Sequence, residues 1–256
     1  MCYDISLIAP LEKIQEHFPN LEWYEGIEQN ITMSAHIMGH SFPLLPVVYK
    51  NRQSNRICGR LMEWGCIPHY ISDEETFRIR RNQMLNARSE RMLTDSSSYW
   101  FKIRNRRCLL PVTGIYEHHE AKGMKKKIPF WIGLQEQSIF FLAGLYSVAQ
   151  LVDKKSGEVT SRFTFSILTQ TASTEYARIH NSGSHAGRMP LFLHQHQWLE
   201  WLNDNTSFEE LEVLVNESNK EPNIKYFPVY TIRGKSDRPD GLTANAPYDW
   251  GYTINN

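Results

Sequence analysis

From Arg106 to Leu168 the chain reads as one strand after another: RRCLLPVTGIYEH, IPFWIGL, SIFFLAGLYSVAQL and SRFTFSIL. This feature limits the possible folds most, because so many extended runs must pair with one another. In the last run Phe163, Phe165 and Ile167 alternate with polar partners, the period of a half-buried strand. KGMKKK lies between the first two as a hairpin-like, solvated basic tip. ITMSAHI, LLPVVY, GRLMEWGCI and IKYFPVYTI read as further extended runs. Helical patterns lie between and around them. PLEKIQEHF opens on Pro10, EETFRIRRNQML and SYWFKIRNR read as helices, and HQWLEWLN sets Trp198, Trp201 and Leu202 at helical spacing. SFEELEVLV repeats that spacing with Phe208, Leu211 and Leu214, behind a Ser207 cap and Glu210 at the capping-box position. Without an internal repeat or an obvious linker, the sum predicts one α+β domain over residues 1–256. It would be built on a large, mainly antiparallel β-sheet or barrel with peripheral helices.

The 256 residues carry 28 Lys and Arg against 28 Asp and Glu, a formal charge of zero. No global field attracts nucleic acid, so any anion site must come from local clustering. Cys2, Cys58, Cys66 and Cys108 fit no zinc spacing, and no other metal or cofactor is implied. MCYDISLIAP lacks the basic region of a signal peptide, and no apolar stretch approaches the ~18 residues of a membrane span. The expectation is a soluble cytoplasmic protein, most of whose thiols pack the core.

Chemistry concentrates in four places. Removal of Met1, which a second residue as small as Cys permits, would leave Cys2 with an α-amine and a thiol on adjacent carbons. With pKa values of about 7.7–8.0 and 8.5 both are partly nucleophilic at neutral pH. Together they trap an aldehyde, the amine as an imine and the thiol by closing a thiazolidine ring; the plain alternative is an incidental N-terminal Cys. From Arg78 to Arg107 the chain holds nine basic residues against two acidic ones, with Tyr99, Trp100 and Phe101 interleaved. That mixture suits single-stranded nucleic acid, where cations hold phosphates and rings stack on bases; it also suits a solvated helix face over core aromatics. In TGIYEHHE, Glu117 falls at a strand end, where apolar surroundings would raise its pKa toward neutrality. His118 and His119 beside it point to opposite faces of a strand, which makes them poor co-ligands and suggests surface histidines. In IHNSGSHAGRMPLFL, His180 or His185 is a candidate general acid.

Taken in order, these signals form a pattern: MC at the start, WG-x-x-P (Trp64, Gly65, Pro68), NAR-x-E (Asn86 to Glu90), G-x-Y-E (Gly114 to Glu117), PF (Pro129, Phe130) and IH…R-x-P (Ile179, His180, Arg188, Pro190). The chain from Cys2 to about Trp201 resembles the SRAP family, the SOS-response-associated peptidases. The resemblance implies covalent capture of abasic sites in single-stranded DNA, with a thiazolidine between Cys2 and the ring-opened sugar shielding the lesion. It also implies a lyase-like enzyme with an autopeptidase step removing Met1; a monomer, associated with the bacterial nucleoid when on DNA, is expected. Carried over, Cys2 is the nucleophile, Asn86 orients the sugar or the Cys2 amine, Glu117 moves protons, and His180 protonates the sugar ring oxygen. DNA contacts fall on Arg88, Arg78, Arg81 and Arg188, with Trp64 and Tyr70 as stacking rings.

The chain departs from the family where Tyr3 and Asp4 follow Cys2, where His69 and Tyr70 stand in place of a tryptophan pair, and where the loop between His180 and Arg188 is long. His185 lies three residues before Arg188, but His180 follows an apolar anchor, Ile179, and precedes the glycines of an exposed loop; His180 is chosen. Two other functions compete. A cysteine peptidase acting on other proteins would use Cys2 with a His–Glu pair, and a non-catalytic binder of single-stranded nucleic acid would use only the basic window.

Overall fold

The structure, a computed structural model, describes residues 2–31, 33–234 and 238–254. Among these residues thirteen strands occur: β1 (Asp4–Leu7), β2 (Glu22–Trp23), β3 (Ser34–Met38), β4 (Leu44–Asn51), β5 (Arg56–Trp64), β6 (Asn86–Arg88), β7 (Arg107–Val112), β8 (Gly114–His119), β9 (Ile128–Leu134), β10 (Phe140–Val152), β11 (Val159–Thr171), β12 (Arg188–Pro190) and β13 (Ile224–Pro228). Five form a sheet in the order β13-β9-β8-β1-β3, and eight form a second sheet. In the second, β4, β5, β7, β10 and β11 close into a ring, because β5 returns to pair with β11 at Thr164–Glu63 and Phe165–Trp64. The pairing is antiparallel as expected, except that β2 and β11 run parallel to β5, and β6 runs parallel to β11. Peripheral helices complete the α+β architecture.

The run RRCLLPVTGIYEH is two strands rather than one. β7 belongs to the larger sheet and β8 to the smaller, and the chain changes sheet at Thr113. Thr113 is tied to β1, its N–H donating to Ser6 O at 2.8 Å and its hydroxyl to Ser6 Oγ at 3.1 Å. Gly114 is required at the corner, since a Cβ there would lie 2.1 Å from Trp131 Nε1. This break puts Glu117 in the middle of β8 instead of at a strand end.

The helical patterns form mostly as read. Glu74–Arg81 is a helix, Leu11–Gln15 follows Pro10, and SYWFKIRNR gives one turn, Tyr99–Lys102. HQWLEWLN becomes a 3₁₀ turn, Gln195–Gln197, and then the helix Trp198–Leu202, with Trp198, Trp201 and Leu202 buried. Ser207 caps Phe208–Asn216 through its own Oγ, and Glu210 Oε2 accepts the Ser207 N–H at 2.7 Å. The sequence reading missed a helix at Thr174–Ile179 and the strand β6.

Candidate active site

Cys2 lies two residues before β1, and β1 pairs antiparallel with β8 at Asp4–Tyr116. That register runs the chain start alongside Glu117. Cys2 is fully buried, its Sγ 3.9 Å from Asp4 O. Asn86, the first residue of β6, donates from Nδ2 to Cys2 O at 2.8 Å. The parallel pairing of β6 with β11 (Asn86 opposite Ile167) fixes this amide from the larger sheet. The two sheets therefore meet at Cys2, each contributing one neighbour.

Glu117 is 4% exposed, and its two oxygens meet a side chain from the helix Thr174–Ile179 and one from the residue that caps its C-terminus. The Tyr176 hydroxyl donates to Oε1 at 3.0 Å, and His180 Nε2 stands 3.7 Å from Oε2. Tyr176 and His180 are four residues apart, one turn, so they lie on the same face. Ser173 caps this turn by accepting from Tyr176 N–H at 3.1 Å. His180 Nδ1 lies 3.2 Å from Arg188 O, which can only accept, so Nδ1 carries hydrogen and Nε2 faces the carboxylate. Nε2 and Oε2 thus face each other at ion-pair distance. Burial first, and then the Glu117 charge, pushes the Cys2 thiol well above its ordinary range, so the sulfur is protonated at neutral pH.

Two supports hold this group in place. His119 is buried rather than at the surface: its Nδ1 donates to Arg178 O at 2.9 Å, and its Nε2 faces the Tyr252 hydroxyl at 2.8 Å. It thereby fastens the helix end that carries His180. Asp4, 2% exposed, meets His36 Nε2 at 2.8 Å and Arg233 Nε at 3.2 Å. Burial pushes its carboxyl up, but the hydrogen bonds of His36 and Arg233 outweigh burial and hold it below its usual range. Sequence reasoning missed Tyr176, His119 and Arg233. The signal for Tyr176 was present, a Ser173 cap followed by apolar residues at helical spacing up to Ile179.

A cleft of about 350 Å³ opens on this group, with Glu117, His180, Tyr3, His185, Lys127 and Arg233 in its wall. A larger hollow of about 750 Å³ lies beside β2 and β5, but there Glu22 is ion-paired with Arg56 and Arg60 is stacked over the ring of Tyr24, so we place the chemistry in the smaller cleft. His185 is half-buried, with its ring 6.3 Å from that of Tyr3; burial lowers its pKa.

The expected DNA contacts divide. Arg88, Arg78 and Tyr70 are exposed, Tyr70 by 65%, and neither arginine has a hydrogen-bond or ion-pair partner among the described residues. Tyr70 packs edge-on against His69 and Tyr99. Trp64 is not a surface ring: it is fully buried, stacked on Phe165, and donates Nε1 to Leu85 O at 2.8 Å. Arg81 is 2% exposed, donating Nε to Gly65 O at 2.9 Å, pairing with Glu63 and lying over the Phe42 ring. Trp64 ends β5 and Arg81 ends the helix Glu74–Arg81; both are buried and engaged within the fold, so neither reaches a strand of DNA. Arg188 makes a bidentate pair with Glu90 at 2.6 and 2.9 Å, which occupies its guanidinium within the fold. The removal of Met1 concerns a residue outside the described ones. Among the described residues no three His, Cys, Asp or Glu side chains gather as a metal cluster, and no helix is long and apolar enough to cross a membrane.

Comparisons with known proteins agree with the motif pattern. Residues 1–235 match the family described as SOS response associated peptidase (SRAP), well past Trp201. The abasic site processing protein YobE of Bacillus subtilis is 29% identical over 216 residues, spanning 84% of this chain and 88% of YobE. The abasic site processing protein YMR114C of Saccharomyces cerevisiae is 26% identical over 220 residues, spanning 83% of this chain and 54% of the yeast protein. A crystal structure of a protein from Bacteroides thetaiotaomicron has the same fold, with a TM-score of 0.74 at 25% identity over 96% of this chain and 97% of that one. With the family match covering residues 1–235, the chain belongs to the SRAP family.

Proposed function

We propose that this protein processes abasic sites in single-stranded DNA by capturing the lesion covalently on Cys2. One observation carries the reading: Glu117 bridges Tyr176 and His180 by its two oxygens, close enough to Cys2 for its charge to act on the thiol. The relatives named as abasic site processing proteins support the substrate.

An abasic sugar is mostly a closed hemiacetal and needs an acid to open it. His180, paired with Glu117, gives a proton to the ring oxygen, and the aldehyde is released. The Cys2 amine, freed by removal of Met1, adds to the aldehyde carbon, and water leaves as the imine forms. The Cys2 sulfur then adds to the imine carbon, its proton passes to nitrogen, and a thiazolidine closes. Glu117 is the group that carries protons between these atoms. Asn86 holds the Cys2 carbonyl, and its Oδ1, buried without a partner among the described residues, is suited to accept from the amine or a sugar hydroxyl. Ring closure is what makes the adduct resist hydrolysis. Removal of Met1 by the same site belongs to this proposal, as do single-strand preference and a monomeric state. His180 is preferred over His185 as the acid because it alone meets Glu117 at ion-pair distance.

The test is an abasic oligonucleotide incubated with the mature protein and run under denaturing conditions. Wild type forms a heat-resistant adduct with abasic but not intact DNA, and Cys2→Ala forms none. Adduct at wild-type yield from Cys2→Ala would sink the mechanism.

A further inference from the structure

The cleft carries a second set of polar side chains that the crosslinking chemistry leaves unused. They sit on the long loop between His180 and Arg188 and on the KGMKKK tip. Asn181 fastens the loop to the base of that tip: Glu120 N–H donates to Asn181 Oδ1 at 2.8 Å, and Asn181 Nδ2 donates to Glu120 O at 3.0 Å. A Cβ on Gly183 would come within 3.9 Å of Lys127 Nζ, so loop and tip meet at the cleft wall. Gly183, at φ +93°, allows the turn that brings them together.

Two atoms in this wall have no partner among the described residues although they are buried: Ser182 Oγ and His185 Nδ1. Buried polar groups are nearly always satisfied, so orphans on residues that line a cleft point to a ligand. The charge around them is positive. Lys127 is 42% exposed, and Glu120 stands 3.7 Å away as a weak, exposed partner. Arg233 is 41% exposed; it reaches Asp4 with Nε and Nη2, and its Nη1 has no partner among the described residues. The acidic groups facing the cleft are already engaged, Asp4 by Arg233 and His36, Glu117 by Tyr176 and His180. Two cations and a hydroxyl around a small polar cleft match a phosphate group, which accepts from all three.

We infer that Lys127, Ser182 and Arg233 form a phosphate subsite that grips the DNA backbone next to the captured sugar. The inference rests on the proposed abasic-site reading for the identity of the strand, and it is distinct from Arg88, which does not line the cleft.

The probe is a single-stranded oligonucleotide with tetrahydrofuran in place of the abasic sugar, which has no aldehyde and reports binding alone. Dissociation constants are measured for wild type, Lys127→Ala and Ser182→Ala. Each meets the all-phosphate strand and strands with a neutral methylphosphonate 5′ or 3′ of the lesion. Lys127→Ala is expected to weaken binding to the all-phosphate strand by about fivefold and to flatten the salt slope by roughly 0.7. One methylphosphonate should weaken wild type comparably, and on that strand Lys127→Ala and Ser182→Ala should lose little more. Equal losses from Lys127→Ala on all three strands, or no loss at all, overturn the subsite. Natural abasic DNA is tested in parallel for adduct. If wild type forms none, the Cys2 reading fails while the binding result stands on its own.

Discussion

The floor of the cleft and a solvent-facing rim outside its wall are built on opposite plans. On the floor Asn86, Glu117, Tyr176 and His180 are all more than nine-tenths buried and bonded to one another or to the backbone. On the rim Arg88, Arg78 and Tyr70 stand in solvent, and the arginines have no partner among the described residues. A buried polar group that loses its partner leaves the other unsatisfied in a low-dielectric setting, at a cost of about 1–3 kcal/mol. An exposed cation acts through a screened field, and its loss is small. The floor should therefore govern what happens to a bound sugar, and the rim how readily DNA arrives and stays.

Glu117→Gln is the strongest way to break this division. It keeps shape and hydrogen bonding but cannot accept a proton, so crosslinking should slow by about 10²-fold or more. The same change should make the Cys2 thiol easier to ionise, because the Glu117 charge is one of the causes that raise it. Burial remains, so the thiol stays above its ordinary value. Alkylation of Cys2 against pH should thus show a lower midpoint in the variant while crosslinking falls. An unmoved midpoint would place Glu117 outside the reach of the thiol.

Tyr176→Phe removes one hydroxyl from a fully buried ring. Crosslinking should slow by about tenfold, because Glu117 loses a donor that holds it in place. Crosslinking at the wild-type rate would reduce Tyr176 to packing. Arg88→Ala carries the smallest effect. Non-covalent binding should weaken by a few fold, the salt slope should flatten by roughly 0.7, and the rate from the bound state should hold. A fall in that bound-state rate would erase the distinction between floor and rim.

The residues proposed to react were legible in the sequence, and those that hold them were not. Cys2, Asn86, Glu117 and His180 announce themselves by residue type in a fixed order of motifs, and the structure brings them together. The strands from β9 to β11 were legible too, β9 and β10 as apolar runs and β11 by its alternation. Trp64 and Arg81 misled because a motif gives spacing but not depth: a tryptophan and an arginine near a glycine turn look alike whether the chain bends inward or outward. His119 misled for the same reason. Its side chain follows β8 inward and finds Arg178 O, a contact made across 59 residues that no local pattern encodes. The sheet change at Thr113 was hidden because RRCLLPVTGIYEH is apolar on both sides of the break.

The straps over the cleft have a bearing on the order of folding. Asp4 meets Arg233 across 229 residues, and His119 meets Tyr252 across 133. Strands β10 and β11, by contrast, pair as a hairpin of neighbours. Closing a long loop adds an entropy term that a hairpin avoids, and contacts between distant residues form slowly. The hairpins can assemble first and the straps last, and fluctuations that release only weakly held segments would open the straps first. A chain cut short before residue 233 would retain its hairpins and leave Asp4 without its guanidinium. The surroundings of Cys2 are thus made dependent on residues far along the chain, so that Arg233 and Tyr252 must be in place before the first strand is fully held.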